Sequence, residues 1–281
     1  HNRAVRHHGM VGSKMKSFSE RVAVITGAGN GIGLAMCREL ARRGANIAAV
    51  DIDEAGLAKV RQEVESLGRR CSVHCLDVSN HQQMEALPQE VIDHHGAVHI
   101  LVNNAGVSVN LSFREQTIED LEWITGINYW GVIYGCKFFL PHLLAADEAH
   151  IVNLSSSAGF TGMKWQCSYS ATKFAVAGLS ESLYVELANT SVGITCVHPG
   201  AVATNSLKAA RMEQGRRTRM LKTFKYATPP AHAARVICKA IKRKRFKQVL
   251  CVDSRILHFV KRLAPVGTLK LMRLANSDGK G

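Results

Sequence analysis

The sequence lacks long apolar runs, paired cysteine motifs and, in its last quarter, acidic residues. No apolar run reaches the roughly 18 residues of a membrane-spanning helix. The eight cysteines show neither the Cys-x-x-Cys nor the histidine spacing of a zinc site, and a chain of 281 residues with 46% hydrophobic content can bury a core without disulfides. These absences predict reduced thiols, no metal site and a cytoplasmic protein.

The scarcity of acidic residues is local. Residues 206–281 contain 20 Lys and Arg against 3 acids, whereas residues 1–205 contain 16 against 19. A partner that recognises positive charge would therefore bind the last quarter of the chain. Residues 1–19 are also basic, but they lack the apolar segment of a secretory signal and are predicted to be a disordered lead-in.

A strand, a glycine-rich turn and a helix open the ordered part of the sequence. Residues 21–26 form a short apolar run, and helical periodicity follows the turn. The turn reads Gly27-Ala28-Gly29-Asn30-Gly31-Ile32-Gly33. Glycines let the backbone approach a pyrophosphate, and the N–H groups that begin a helix attract an anion. Because the spacing differs from Gly-x-Gly-x-x-Gly, the turn by itself is only a weak indication of dinucleotide binding.

Asp51 stands where a second short apolar run, residues 46–50, ends. An acidic side chain at that place can accept hydrogen bonds from the adenosine ribose hydroxyls and disfavour a 2′-phosphate. It therefore predicts NAD, with NADP the weaker alternative. The other interpretation is that Asp51 caps the next helix, although Asp53 fits that role better.

Strands and helices continue to alternate along the chain. Helices are predicted over residues 54–67, 80–95, 118–144 and 168–187, and strands over residues 70–76, 99–102, 150–154 and 192–197. This alternation predicts an α/β fold in one domain with a doubly wound parallel sheet. Ligands of such sheets gather at the carboxyl ends of the strands, where the polar motifs of this sequence lie.

Polar segments follow the predicted strand at residues 150–154. Ser155 and Ser156 come directly after it, and Tyr169 opens the next helix with Lys173 one turn later. A cation beside a phenol lowers its pKa from about 10 and so favours a general acid/base. Ser156 can hydrogen-bond the same substrate oxygen if the chain folds back. The alternative for Tyr169 and Lys173 alone is a solvated pair without chemistry.

A set of motifs runs through residues 20–205 in a fixed order. They are Thr26-Gly27-x-x-x-Gly31-x-Gly33, Asn103-Asn104-Ala105-Gly106, Asn128, Ser156, Tyr169-x-x-x-Lys173 and Pro199-Gly200-x-Val202-x-Thr204. Together they resemble the motifs of the short-chain dehydrogenase/reductase family. The resemblance implies a single-domain Rossmann fold over residues 20–252, with about seven parallel strands and the last strand at residues 248–252.

The resemblance also implies roles for the site residues. Tyr169 is the acid/base and Ser156 orients the substrate oxygen, so both contact the substrate. Lys173 holds the nicotinamide ribose and lowers the pKa of Tyr169, and Asn128 anchors a water of a proton relay. The implied cofactor contacts are Gly27, Asn30, Gly31, Ile32, Gly33, Asp51, Asp77, Val78, Asn104, Ala105, Tyr169, Lys173, Val202 and Thr204.

Residues 205–228 stand at the place of the family's substrate lid. Met212, Met220, Leu221 and Phe224 lie among basic residues there and predict an apolar underside. The expected activity is NAD-dependent hydride transfer between an alcohol, secondary and apolar or lipid-like, and its carbonyl compound. The alternatives are an NADP-dependent carbonyl reductase and a non-catalytic dinucleotide-binding sensor or scaffold recruited to membranes by its basic tail.

The expected partners are copies of the chain and a surface that meets its basic end. The resemblance implies a homodimer or homotetramer through the helices at residues 118–144 and 168–187. Residues 253–281 form a basic extension with two apolar and basic helical stretches, which suits an anionic membrane surface or an acidic carrier. Packing on the domain with a solvated basic face is the alternative. No nucleic-acid partner is predicted, because recognition motifs are absent and aromatic residues are few in this region.

Overall fold

A parallel sheet of seven strands forms the centre of the protein in the computed structural model, which describes residues 15–204, 210–223 and 227–275. The strands in chain order are β1 (Val22–Thr26), β2 (Asn46–Asp51), β3 (Cys71–Cys75), β4 (Ile100–Asn103), β5 (Val109–Asn110), β6 (Ala149–Leu154), β7 (Val192–His198), β8 (Arg211–Met212) and β9 (Lys247–Val249). The central sheet has the order β3-β2-β1-β4-β6-β7-β9, and β5 pairs with β8 separately. The predicted α/β fold with a doubly wound parallel sheet is confirmed.

Helices cover both faces of this sheet. They are α1 (Gly31–Arg42), α2 (Glu54–Ser66), α3 (His81–His95), α4 (Ile118–Thr125), α5 (Gly131–Ala145), α6 (Cys167–Glu186), α7 (Gln214–Thr223), α8 (Pro230–Lys242), α9 (Val252–Leu263) and α10 (Pro265–Ala275). Successive residues of a strand point to opposite faces, so Ile25 and Ile47 belong to one core layer while Val24 and Ala48 belong to the other. The near-continuous apolar runs of the central strands follow from this two-sided burial.

The register of the sheet brings the strand ends together. Thr26 pairs with Val50, and Asn103 pairs with Asn153. The segments that follow β1, β2, β4 and β6 therefore meet at one edge of the sheet. Because the order of the strands reverses between β1 and β4, this edge is also where such folds bind ligands.

Two predicted elements differ from those observed. The helix predicted over residues 118–144 is continuous but contains a π-helical turn at Gly126–Trp130, between α4 and α5. Such turns often occur at functional sites. The last strand is Lys247–Val249 rather than residues 248–252, because α9 already begins at Val252.

The chain before β1 joins the core earlier than predicted. Met15 is 1% exposed and Phe18 is 5% exposed, and the amide of Met15 donates to the carbonyl oxygen of Lys242 at 3.0 Å. Residues 15–19 therefore pack on the domain, although the sequence predicted disorder over residues 1–19. Residues 1–14 lie outside the described part of the chain.

The described part of the predicted lid returns to the sheet edge. Arg211 in β8 pairs with Val109 in β5, and Met212 beside it is half-buried. The side chains of Met220, Leu221 and Phe224 lie outside the described residues, so the apolar underside stays a prediction. Within residues 15–204, 210–223 and 227–275, no helix has both the length and the apolar content needed to cross a bilayer.

Candidate active site

The glycine turn between β1 and α1 leaves no room for side chains. A Cβ atom on Gly33 would lie 1.9 Å from the carbonyl oxygen of Gly27, and Gly27 itself has a φ of 66°. Helix α1 begins at Gly31, and its N-cap Asn30 makes no side-chain hydrogen bond to the helix. The first turn of α1, which also contains the half-buried Ile32, carries no acidic residue. This helix start therefore fits the phosphates of a dinucleotide.

Asp51 lies against the glycine turn at the end of β2. Its Oδ2 accepts a hydrogen bond from the amide of Gly29 at 2.7 Å. Asp53 caps α2 by accepting from the amide of Gly56 at 3.1 Å. The capping role that the sequence left open for Asp51 thus belongs to Asp53, and the predicted contact of Asp51 with the adenosine ribose stays a prediction.

Thr26 holds the glycine turn and the segment after β4 together. Its Oγ1 accepts hydrogen bonds from the amides of Asn104 and Ala105 at 3.0 and 3.1 Å. The side-chain amide of Asn104 donates to the carbonyl oxygens of Thr26 and Gly27 at 2.8 and 3.0 Å. The predicted list of site residues omitted Thr26, although its place directly before Gly27 was the available signal.

Asp77 and Val78 follow β3 at the same sheet edge. The Oδ1 of Asp77 accepts hydrogen bonds from the amide and hydroxyl of Ser79 at 2.9 and 2.8 Å, so its side chain shapes its own turn. Val78 is buried against the helix after the π-helical turn, where a Cβ on Gly131 would lie 2.8 Å from it. Their predicted contact with the adenine stays a prediction.

The loop after β7 also reaches the glycine turn. A Cβ on Gly31 would lie 3.0 Å from Cγ2 of Thr204, and the amide of Thr204 donates to the carbonyl oxygen of Val202 at 2.8 Å. Val202 is 5% exposed and forms an isolated bridge with Thr228. Both predicted cofactor residues therefore lie beside the start of α1.

Ser156, Tyr169 and Lys173 meet where β6 ends and α6 begins. The ammonium of Lys173 donates to the carbonyl oxygen of Leu154 at 2.9 Å and stands 5.8 Å from the centre of the Tyr169 ring. The Ser156 hydroxyl accepts from the amide of Ala158 at 3.1 Å and lies near the Tyr169 side chain. Lys173 is only 4% exposed, which contradicts the alternative of a solvated pair.

Burial shifts the pKa values of Lys173 and Tyr169. It lowers the pKa of Lys173 to about 8. It also raises the pKa of Tyr169, while the hydrogen bond from Ser156 acts in the lowering direction. Lys173 is not among the groups that shift the pKa of Tyr169 in this arrangement, so the lowering predicted from the sequence is not observed. A neutral tyrosine able to donate a proton is the favoured form at neutral pH.

Asn128 fixes the chain after β4 against the π-helical turn. Its Oδ1 accepts from the amide of Val107 at 2.8 Å, and its Nδ2 donates to the carbonyl oxygen of Val107 at 2.9 Å and to the hydroxyl of Thr172 at 3.3 Å. A Cβ on Gly106 would lie 3.1 Å from this Oδ1 and 3.4 Å from the Lys173 ammonium. Asn128, which is fully buried, therefore lies beside Lys173.

The buried side chains of Ser155 and His198 hold the segment after β6 in place. The Oγ of Ser155 donates to the carbonyl oxygen of Lys173 at 2.8 Å, which ties β6 to α6. Nδ1 of His198 lies 2.9 Å from the carbonyl oxygen of Ser156, and burial lowers the pKa of His198 to about 4. His198 is therefore neutral and positions the loop. Among the described residues, no group of three or more His, Cys, Asp or Glu could hold a metal ion.

Comparison with known proteins identifies the family of the chain. The family model described as short chain dehydrogenase matches residues 21–215. An oxidoreductase named SadH from Mycobacterium tuberculosis is 35% identical over 255 residues, which cover 89% of this chain and 92% of SadH.

Two solved structures share the fold. A short-chain dehydrogenase/reductase from Burkholderia phymatum in complex with NAD has a TM-score of 0.82 and 30% identity, covering 89% of this chain and 96% of that one. An alcohol dehydrogenase from Thermococcus sibiricus complexed with 5-hydroxy-NADP has a TM-score of 0.72 and 27% identity, covering 82% and 95%. Because the matched family model spans more than half of a chain whose strand ends carry this site, the protein belongs to the short-chain dehydrogenase family and is an oxidoreductase that acts on CH–OH groups.

Proposed function

We propose that the chain is an NAD-dependent oxidoreductase that interconverts a secondary alcohol, apolar or lipid-like, and its carbonyl compound. The observation that carries this proposal is the buried Lys173 beside Tyr169 and Ser156, at the sheet edge that also holds the glycine turn. When bound, the nicotinamide ring supplies or accepts a hydride. The residues of the chain then have to orient the substrate and move one proton.

The proton is assigned to Tyr169. In reduction, its neutral hydroxyl donates to the substrate oxygen, and the Ser156 hydroxyl holds that oxygen by a hydrogen bond. In oxidation, Tyr169 takes the proton of the alcohol. Lys173 would hold the ribose of a bound nicotinamide cofactor, and Asn128 anchors a water through which the proton is replaced.

Asp51 carries the proposed preference for NAD. Replacing Asp51 by Ala should lower the ratio of NAD to NADP affinity by roughly tenfold or more, because the carboxylate would no longer repel a 2′-phosphate. Titration of both dinucleotides by fluorescence measures this ratio. Asp53→Ala is the matched control, since it removes the α2 cap at a cost of about 1 kcal/mol and should leave the ratio unchanged. An unaltered ratio in Asp51→Ala would contradict the ribose contact.

Apolar side chains near Tyr169 carry the proposal of an apolar substrate. The loop that leads to Tyr169 carries Phe160, Met163 and Trp165. Gln166 of this loop donates to the side chain of Asn110 at 2.7 Å, and Asn110 pairs with Met212. Such residues support an apolar substrate pocket. A screen of primary and secondary alcohols and of ketones of increasing chain length, followed by the absorbance of the reduced nicotinamide, tests this. Preference for short polar substrates would contradict it.

The alternatives differ in how well they are supported. An NADP-dependent carbonyl reductase is compatible with the relative that binds 5-hydroxy-NADP, and titration of the unmodified chain with both dinucleotides distinguishes it. The sensor or scaffold without turnover is less well supported, because it has no chemical need for a buried lysine beside a tyrosine.

The eight cysteines, all unpaired, support the proposed cytoplasmic location.

A homodimer or homotetramer is proposed through the helices at residues 118–144 (α4 and α5) and 168–187 (α6), and members of the family are typically oligomeric. Phe174, Tyr184 and Val185 on α6 are 45%, 48% and 74% exposed. Three large apolar or aromatic side chains exposed on one helix support an interface between copies of the chain. Val185→Asp should shift the sedimentation coefficient towards the monomer, whereas Leu67→Asp, at an exposed apolar site after α2, should not. A monomeric unmodified chain would contradict the proposal.

A further inference from the structure

Helix α9 packs on the domain with its polar side. Ser254 is 2% exposed, and its Oγ lies 2.2 Å from where a Cβ on Gly200 would be. One turn later, His258 is half-buried, with its ring 5.0 Å from that of Phe160. Positions four apart lie on the same face of a helix, so Ser254 and His258 define the face that meets the domain.

The opposite side of α9 is apolar and exposed. Five apolar residues at spacings of four, three, one and three share this side, and they are Val252 (70% exposed), Ile256 (60%), Phe259 (63%), Val260 (37%) and Leu263 (70%). A helix of a soluble domain normally turns such a stripe towards the core. The reversed orientation of α9 leaves a face that needs a partner.

Helix α10 repeats the pattern. Its Thr268 is 3% exposed and donates to the carbonyl oxygen of Ala264 at 2.8 Å, and its half-buried Met272 contacts the domain, with Sδ 3.8 Å from the hydroxyl of Thr161. Val266 and Leu271 are 64% and 63% exposed. The exposed apolar residues of α9 and α10 together are called the C-terminal apolar face.

Positive charge accompanies this face. Residues 252–275 contain five basic side chains, Arg255, Lys261, Arg262, Lys270 and Arg273, against the single acid Asp253. All of these basic residues except the half-buried Lys261 are exposed. Exposed apolar side chains interspersed with Lys and Arg are typical of a helix that lies in the interface of an anionic bilayer.

We propose that the C-terminal apolar face docks on an anionic membrane surface, with the apolar side chains below the headgroups and the basic ones beside them. A second copy fits less well, because a two-fold contact sets the same positive charges opposite each other. An acidic protein would meet the charge but would have to supply an equally large apolar surface.

Docking would leave only helix α9, about 10 Å across, between the membrane and the loop that carries Ser156. His198 contacts the Ser156 carbonyl oxygen, the Phe160 ring lies between the rings of His198 and His258, and Met272 contacts Thr161. An apolar substrate dissolved in the bilayer would then be close to the site. This last step rests on the proposed function, whereas docking itself does not.

Vesicle flotation of the full chain tests the docking. The probes are vesicles of equimolar phosphatidylserine and phosphatidylcholine, and vesicles of phosphatidylcholine alone. The unmodified chain should float with the anionic vesicles at low salt, bind the neutral ones far less, and be released by high salt. No binding to the anionic vesicles at low salt, or equal binding to both kinds, would overturn the proposal.

Two double variants separate specific docking from net charge. Lys270→Glu with Arg273→Glu should weaken binding at least about tenfold. Lys59→Glu with Arg61→Glu makes the same change in net charge at exposed positions of α2 and should weaken it by less than about threefold. If both double variants lost vesicle binding equally, net charge alone would explain the binding, and the proposal would be overturned.

The apolar side is tested without a change in charge. Phe259→Ser with Leu263→Ser should weaken vesicle binding at least about fivefold, because both side chains are exposed and would leave the bilayer. If this pair instead alters the oligomeric state and leaves vesicle binding intact, the face belongs to a second copy. Binding to polyglutamate but not to vesicles would assign it to an acidic protein, and either result overturns membrane docking.

Tyr169→Phe should bind vesicles as the unmodified chain does. Failure of the catalytic proposal can therefore be distinguished from failure of membrane docking.

Discussion

Tyr169→Phe is expected to lower turnover by a factor of roughly 100 to 10,000 while leaving NADH affinity nearly intact. The substitution removes one hydroxyl, which is the group assigned to give or take the substrate proton. The aromatic ring that packs 5.8 Å from the Lys173 ammonium is kept. Turnover is followed by the absorbance of the reduced nicotinamide with the best substrate of the screen, and NADH binding by its fluorescence.

Tyr184→Phe provides the matched control for this substitution. Tyr184 lies on the same helix, is 48% exposed and has its ring 4.5 Å from that of Phe246. Removing its hydroxyl should change neither turnover nor NADH affinity. If Tyr169→Phe kept more than about a tenth of the turnover, the acid/base role would be wrong.

The pH dependence of the unmodified chain gives a second readout. Because burial raises the pKa of Tyr169, the deprotonated base is scarce at neutral pH and becomes common only as the pH rises. Alcohol oxidation should therefore accelerate from neutral to alkaline pH, whereas carbonyl reduction should slow as the acid form is lost. Residual activity of Tyr169→Phe should lack this dependence.

Gly33→Ala is expected to abolish measurable dinucleotide binding and to destabilise the fold by about 1–3 kcal/mol. The added methyl group would lie 1.9 Å from the carbonyl oxygen of Gly27 and 2.7 Å from the side-chain amide of Asn104. One contact is with backbone, and the other is with the amide that bonds Thr26 and Gly27. The turn would have to open, which displaces the start of α1 from the position where it can bind phosphate.

Gly178→Ala is the control for the helical context. Gly178 lies inside α6, and nothing lies within 4 Å of the Cβ position. Alanine there should leave NADH affinity unchanged and raise stability by up to about 1 kcal/mol, since glycine is unfavourable inside a helix. Fluorescence titration and denaturant unfolding measure both effects. NADH affinity retained by Gly33→Ala would show that the tight turn is not part of the dinucleotide site.

Local patterns explain why most of the fold was predictable. A glycine turn, a strand of β-branched residues and a helical repeat each depend on neighbours a few residues apart. The sequence alone therefore predicts their order. The parallel sheet then follows from the alternation of strands and helices. Asp51, Ser156 and Tyr169 could be placed at one edge because each follows or opens an element whose end lies there.

Interactions between distant segments explain what was missed. The Thr26 hydroxyl acquires its role only when Asn104 and Ala105, from another strand end, come within hydrogen-bond distance. Met15 packs because the end of α8 offers it the carbonyl oxygen of Lys242. No spacing in the sequence encodes either contact.

The sequence by itself determined the order of elements, the glycine turn and the identity of the Ser156, Tyr169 and Lys173 group, because these depend on local chemistry and spacing. Only the tertiary structure decided the charge state of that group, since burial sets the direction of the Tyr169 and Lys173 pKa shifts. It also decided which side of α9 faces water. An amphipathic repeat specifies that a helix has two sides, but the contacts of Ser254 and His258 determine which of them meets the domain.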